Sequence, residues 1–433
     1  MLKRVATTLV VVALVGGTAL ADAKMGGVAR QLSMGGAGAR GLAVNPFIWD
    51  DATQMYINPA FGSMYKDYAW INVGGGGLTG VTTTNDGYGL QHGGMNFSLG
   101  NNLTVGTILS HDGTSANTVA GAIAPGGFGI NTGLPVTPVE VLQAMASYGI
   151  NNNTSLGLRV LYGWTSNDAI NTPATGTNEF TASVIGATAG IHVNLGSGNA
   201  IEGSVSFASS TADDKAGQGT TALNATASGT EIGATVRAKL KVNNKVNFIP
   251  TAAFISASGD GSNGAATPTT ADVTGTALGI GAGLDLTVGD FYMAGGVSYG
   301  MVSQETTNST GGTSTTTKNT NTGFPIIQVG GEWAFVDWLT GRAGYIRSFT
   351  TFTTENTAGG VTSETNWFQG GSTVILGSYN ANNLVVFGLA AAFGNFSLEA
   401  TVSESVLRRG FGVIGSQDNL NSFGYVTTTY NID

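Results

Sequence analysis

The sequence contains no cysteine, so neither a disulfide framework nor a thiolate metal site is open to it. Charge is scarce as well. Only 10% of the 433 residues are Asp, Glu, Lys or Arg, against about 25% in an ordinary soluble domain, whereas 42% are hydrophobic. A disordered chain needs the reverse balance and is excluded. The nine prolines fall without period, which excludes a collagen-like helix. Beyond the first positions no apolar run approaches the length of about 18 residues that a spanning helix requires. The longest later run is LVVFGLAAAF, Leu384 to Phe393. The three histidines, His92, His111 and His192, lie far apart, and neither H-E-x-x-H nor G-x-S-x-G occurs. No catalytic, metal or cofactor signature is therefore present. Glycine is what the chain has in excess: 68 residues, roughly twice the usual share of about 7%.

The first residues point to export. Lys3 and Arg4 precede an apolar stretch from Val5 to Val15, and Ala19-Leu20-Ala21 is an A-x-A site, so residues 1–21 read as a secretory signal peptide. Its removal lowers the basic count from 17 to 15 against 26 acidic residues. So acidic a chain is a poor partner for nucleic acid, whose phosphates need basic patches.

From Tyr68 onward the pattern has period two. Ile232, Ala234, Val236, Ala238 and Leu240 take one face, and Gly233, Thr235, Arg237, Lys239 and Lys241 the other. Leu156–Val160 and Ile201–Phe207 repeat it. Tight-turn residues fall at Gly100–Asn102, Asn151–Asn153, Gly196–Gly198, Asn243-Asn244, Gly289-Asp290, Val336-Asp337 and Gly394-Asn395, each suited to a short hairpin. Long polar stretches separate them: 112–138, 166–178, 209–228, 258–274, 305–320 and 353–383. Short turns alternating with long loops predict an all-β, transmembrane, antiparallel up-and-down β-barrel of about 14–16 strands in an outer membrane. A β-solenoid is the rival, but no fixed repeat is visible. The barrel is expected over residues 68–433, in contact with outer-membrane lipid. Phe97, Phe291, Tyr292, Phe335, Trp338, Phe393 and Phe396 stand beside the tight turns, where an interfacial aromatic girdle belongs.

Alternation turns Arg159, Glu202, Glu231, Arg237, Lys239, Asp285, Glu332, Arg342 and Glu399 inward, since a basic residue facing lipid at mid-depth costs about 2–4 kcal/mol. Arg159, Arg237 and Arg342 are thus candidates to receive a solute carboxylate. The plainer reading makes them partners of the inward acids. The closing strand is expected around Phe423, Tyr425, Val426 and Tyr430. The barrel assembly machinery is an expected partner during insertion, although the chain ends Asn431-Ile432-Asp433 and not in an aromatic residue.

Residues 22–67 precede the first strand and carry Leu32, Met34, Leu42, Phe47, Ile48, Trp49, Met55, Tyr56 and Ile57. Free in water they would expose a large apolar patch; inside the barrel they form a luminal hatch. Pro59 favours an extended Asn58 and a fixed kink, Asn58 can bond locally, and Asp51 can cap a helical turn over Ala52–Tyr56. Ser33-Met34-Gly35-Gly36-Ala37-Gly38, followed by Asp50-Asp51-Ala52 and Asn58-Pro59-Ala60, resembles the N-terminal hatch of the FadL family of outer-membrane transporters of hydrophobic compounds. It equally resembles the related PorV-type proteins. The likeness covers about thirty residues, and it departs in the apolar insertion Gly41–Trp49 and in Phe61, where glycine is usual. The resemblance implies passive uptake of long-chain fatty acids or hydrocarbons through a hatch-closed barrel, with no enzymatic step. It implies a hatch or gating role for Asp50, Asp51, Asn58, Pro59 and Ala60. The apolar insertion tilts the reading toward a hydrophobic ligand, with Phe47 and Trp49 as candidate contacts. The alternatives are a PorV-like secretion-system partner protein and a general porin.

Overall fold

A computed structural model describes residues 27–35, 52–74, 92–111, 140–170, 177–218, 221–262, 268–359, 361–369, 383–402 and 423–432. Positions 1–21, and with them the expected signal peptide, lie outside the described residues, as do Phe47, Trp49, Asp50 and Asp51.

Seventeen strands form one sheet. They are β1 (Tyr68–Gly74), β2 (His92–Leu99), β3 (Leu103–His111), β4 (Glu140–Asn151), β5 (Thr154–Ile170), β6 (Thr177–Gly196), β7 (Asn199–Gln218), β8 (Thr221–Lys241) and β9 (Val246–Ser262). There follow β10 (Thr269–Val288), β11 (Phe291–Thr310), β12 (Thr313–Val336), β13 (Leu339–Ala358), β14 (Val361–Gln369), β15 (Asn383–Phe393), β16 (Phe396–Val402) and β17 (Phe423–Asn431). Strands consecutive in sequence pair antiparallel except β14 and β15, which both pair with β13, and β17 returns to β1, Tyr68 opposite Asn431 and Val73 opposite Val426. The sheet is closed. Strands β14 and β15 pair with the upper and lower parts of β13, Thr350–Ala358 and Leu339–Arg347, so seventeen strands fill sixteen positions of the wall.

All seven expected tight turns are present, gathered at one end where the first and last strands also meet. Their residues explain why. Gly196, Ser197 and Gly198 all have positive φ, a conformation glycine adopts without steric cost. The Asn151 side chain accepts from Asn153 N at 2.8 Å, and that of Asn243 from Lys245 N at 2.8 Å, closing the bend locally.

Period two becomes two surfaces. Leu158, Val160, Ile185, Val205, Ile232, Val236, Ile280 and Leu284 are exposed outward, while Arg159, Glu202, Glu231, Arg237, Asp285, Arg342 and Glu399 are buried. An apolar outer belt on a closed sheet is the surface of a bilayer-spanning barrel. Phe97, Phe291, Trp333, Phe335, Trp338 and Phe396 ring the turn end, exposed, and Phe393 stacks on Trp338 at 6.1 Å. Tyr292 departs from the expected girdle: it packs inward on Met34, Ile249 and Ala294, because its position shares the parity of the lumen.

The long polar stretches are a larger correction. Five of the six predicted loops are mostly strand where described, and the sixth, 112–138, lies outside the described residues; β7 runs to Gln218, β8 starts at Thr221, and Gln218 pairs with Thr221. Strands of 17–24 residues exceed the roughly 9–11 needed to cross a bilayer. Their far ends carry hydroxyls on both faces, as in Thr307–Thr316 at 2.9 Å on one and Thr317, which donates to Asn356 at 2.9 Å, on the other. With no apolar face the alternation signal vanishes, although the ladder and the cross-strand hydroxyl pairs persist.

Candidate functional site

Two parts of the N-terminal segment lie against the inner wall. The first is helix α1 (Val28–Ser33) with Met34 and Gly35; the second holds two 3-10 turns, Ala52–Tyr56 and Pro59–Met64. Pro59 has no N–H to leave unsatisfied at the start of its turn. Asn58, extended at φ −128° and ψ 100°, caps that turn by accepting from Ala60 N at 3.1 Å. Its Nδ2 donates to Ile191 O on β6 at 2.9 Å. Ala60 O accepts from Ser147 Oγ at 3.0 Å, Ser155 Oγ at 3.2 Å and Ser63 Oγ at 2.9 Å. Phe61 lies 5.4 Å from the His192 ring, with Arg237 over its face at 5.7 Å. Asn-Pro-Ala is therefore bonded to strands β4, β5 and β6. Replacing Asn58 with alanine removes a cap and a wall bond, and is expected to lower stability by about 1–2 kcal/mol, read as a lower denaturant midpoint in detergent.

Helix α1 is held by charge. Arg30 donates from Nε and Nη2 to Glu332 at 3.1 and 2.6 Å. Arg342 donates to Glu332 at 3.0 Å and to Glu399 at 3.0 Å, so a chain of four charges links helix, β12, β13 and β16. Ala29 N also donates to Thr427 Oγ1 at 3.1 Å.

Glycine marks where segment and wall meet. A Cβ on Gly157 would fall on the Pro59–Ala60 backbone, and on Gly190 against Asn58 and Pro59. On Gly330 it would meet Met34, on Gly344 Met34 and Gly35, and on Gly388 Ser33. At Gly157, Gly330 and Gly344 the backbones approach too closely for any side chain, and at Gly190 and Gly388 the Asn58 and Ser33 side chains fill the space.

Above these contacts the inward wall carries apolar clusters set among buried polar residues such as Gln143 and Thr188. Val141, Leu161, Val184 and Ala208 form a buried cluster with Ile57 of the N-terminal segment, Ala182, Ala212 and Ala227 a second, and Ile255 with Ala277 a third. Of the three candidate arginines, Arg237 is ion-paired to Glu202, and Arg342 to Glu332 and Glu399. Arg159 is different. It is 1% exposed, donates from Nη2 to Thr188 Oγ1 at 3.1 Å, and leaves Nε and Nη1 without partners.

A scan against models of known protein families finds no match, and neither does a search of curated proteins. Solved structures do match. The toluene transporter TodX of Pseudomonas putida is 11% identical over 94% of this chain and 99% of that one, with a TM-score of 0.41. The CymD monoaromatic hydrocarbon channel is 11% identical over 93% and 96%, at 0.33. The ferric yersiniabactin uptake receptor FyuA of Yersinia pestis is 8% identical over 84% and 79%, at 0.38. Identities and scores this low assign no solute to the chain.

Sequence reasoning missed three features of the site. Arg30 is one, since a lone cation on a short helix shows no partner in sequence. The positions of the contact glycines are another, because their partners are far away along the chain. The apolar wall is the third, and it did leave a trace. Leu158 to Tyr162 is apolar on both faces except at Arg159, the mark of a strand between lipid and a dry lumen.

Proposed function

We propose that the chain is an outer-membrane channel, and not an enzyme, for passive uptake of hydrophobic compounds through a barrel closed by its N-terminal segment. The observation that carries this reading is the buried apolar cluster that Val141, Leu161, Val184 and Ala208 of the inner wall form with Ile57 of the N-terminal segment. A pore for polar solutes needs a wetted lumen; an apolar one lowers the free energy of an apolar solute by about 25 cal/mol per Å² removed from water. Such a path matters where lipopolysaccharide slows apolar solutes at the cell surface. Arg159, unengaged by any acid, is the candidate for a carboxylate on the solute; Arg237 and Arg342 serve the wall.

The test is uptake of labelled octane and octanoate by cells lacking the protein, with and without complementation. Slower uptake, restored by the gene, with an unchanged set of secreted proteins, is the expected result. Normal uptake with a changed secretome would replace this reading by that of a secretion-system partner. Replacing Arg159 with leucine is expected to slow octanoate about tenfold and to leave octane unaltered in the same assay.

A further inference from the structure

Among the described residues, four buried acids on strands β7, β8, β10 and β16 and the half-buried Glu332 on β12 face the lumen, and four of these five are paired. Glu202 meets Arg237, Asp285 meets Lys239 at 3.6 Å, Glu332 meets Arg30 and Arg342, and Glu399 meets Arg342. Glu231 is the exception. It is 2% exposed, and neither carboxyl oxygen has a hydrogen-bond partner. A buried unpaired carboxyl is costly, and the same wall supplies a cation to each of the other four.

The adjoining strands present no charged side chain to it. Glu231 stands opposite Ala208 on β7 and Ala257 on β9. The residues of like parity beside it on β8 are Gly229 and Gly233. Diagonally across β7 stands Ser210, opposite Gly229, 2% exposed and with its own hydroxyl unpartnered. Three apolar clusters surround this spot: Ala208 belongs to that of Leu161 and Val184, Ala227 to that of Ala182 and Ala212, and Ala257 packs on Ile255 and Ala277. A carboxyl and a hydroxyl thus share a patch of alanine and glycine between three apolar clusters.

We propose that Glu231 and Ser210 form the polar end of a solute subsite that takes a hydrogen-bond-donating head group, hydroxyl or ammonium, on a molecule whose apolar body lies against Ala208, Leu161 and Val184. This rests on the uptake reading and narrows it to a chemical class. The carboxylate accepts from the donor, Ser210 Oγ accepts a second bond or donates to a hydroxyl oxygen, and the residues opposite Glu231, Ala208 and Ala257, are small. The subsite is separate from Arg159, which stands on β5 and suits the opposite chemistry.

The test is equilibrium binding of octan-1-ol, octylammonium and octane to the full chain in lipid nanodiscs, corrected with empty nanodiscs. Octan-1-ol and octylammonium are expected to bind about tenfold more tightly than octane. In Glu231→Leu that preference is expected to fall to parity with octane binding retained. Because the variant removes an uncompensated buried charge, its thermal midpoint is expected to be unchanged or higher. Glu231→Gln, which keeps the shape and one acceptor, is expected to retain the preference for octan-1-ol and lose that for octylammonium. Equal binding of all three probes by the natural chain, or a preference that survives in Glu231→Leu, overturns the subsite and leaves the uptake reading standing. No binding of any probe, octane included, overturns both.

Discussion

Placing a valine at Gly344 is expected to unseat the N-terminal segment and convert a closed barrel into a conducting one. The added Cβ would overlap the backbone of Met34 and Gly35, and backbone, unlike the far end of a flexible side chain, cannot rotate away. Nor can the wall yield cheaply, since Gly344 pairs with Gly330 on one side and Val386 on the other within a closed ladder. The lighter element must move. In planar bilayers the natural chain is expected to pass little current. Gly344→Val, and independently Gly157→Val at the Pro59–Ala60 contact, should raise conductance toward that of an open barrel of about sixteen strands, whose lumen is an aqueous channel. Gly331→Ala is the control. It stands on the outer face, where an added Cβ would meet the Phe291 ring at 3.3 Å, and it should leave the current low. Unchanged conductance in both valine variants would show that these contacts do not keep the lumen closed.

The second large effect is expected at Arg342. Its guanidinium joins Glu332 and Glu399, with side chains 5% and 2% exposed for Arg342 and Glu399. Replacing Arg342 with alanine leaves Glu399 buried without its cation, at a cost of about 3–5 kcal/mol, seen as a much lower denaturant midpoint in detergent. Glu332 keeps Arg30. The double variant Arg342→Met, Glu399→Leu removes both charges and should recover most of that loss, because the pair's attraction largely offsets its own desolvation. A double variant no better than the single one would mean that Arg342 stabilises by packing and not by charge.

Much of the architecture was legible because it follows from local chemistry. The tight turns announced themselves through Gly196-Ser197-Gly198 and Asn243-Asn244, and inward charges such as Glu202 and Arg237 through parity alone. The extended Asn58 followed from Pro59. The far ends of the strands were not legible, since Thr313–Thr322 is polar on both faces and looks like a loop. Nor was the identity of each charge's partner. Parity turned Arg159, Arg237 and Arg342 inward alike, but which of them an acid satisfies depends on registers set by long-range pairing. The contact glycines were foreseeable as a class, in strands where the segment would touch the wall. Their positions, Gly157, Gly190, Gly330, Gly344 and Gly388, required the fold.

The central claim is that an apolar solute occupies the lumen beside the N-terminal segment. Crystals of the full chain grown with 1-bromooctane, with data collected at the bromine absorption edge, test it most directly. The account predicts anomalous density inside the barrel, against Ile57, Leu161, Val184 and Ala208. Bromine found solely on the outer belt, with ordered water filling the lumen, would contradict it.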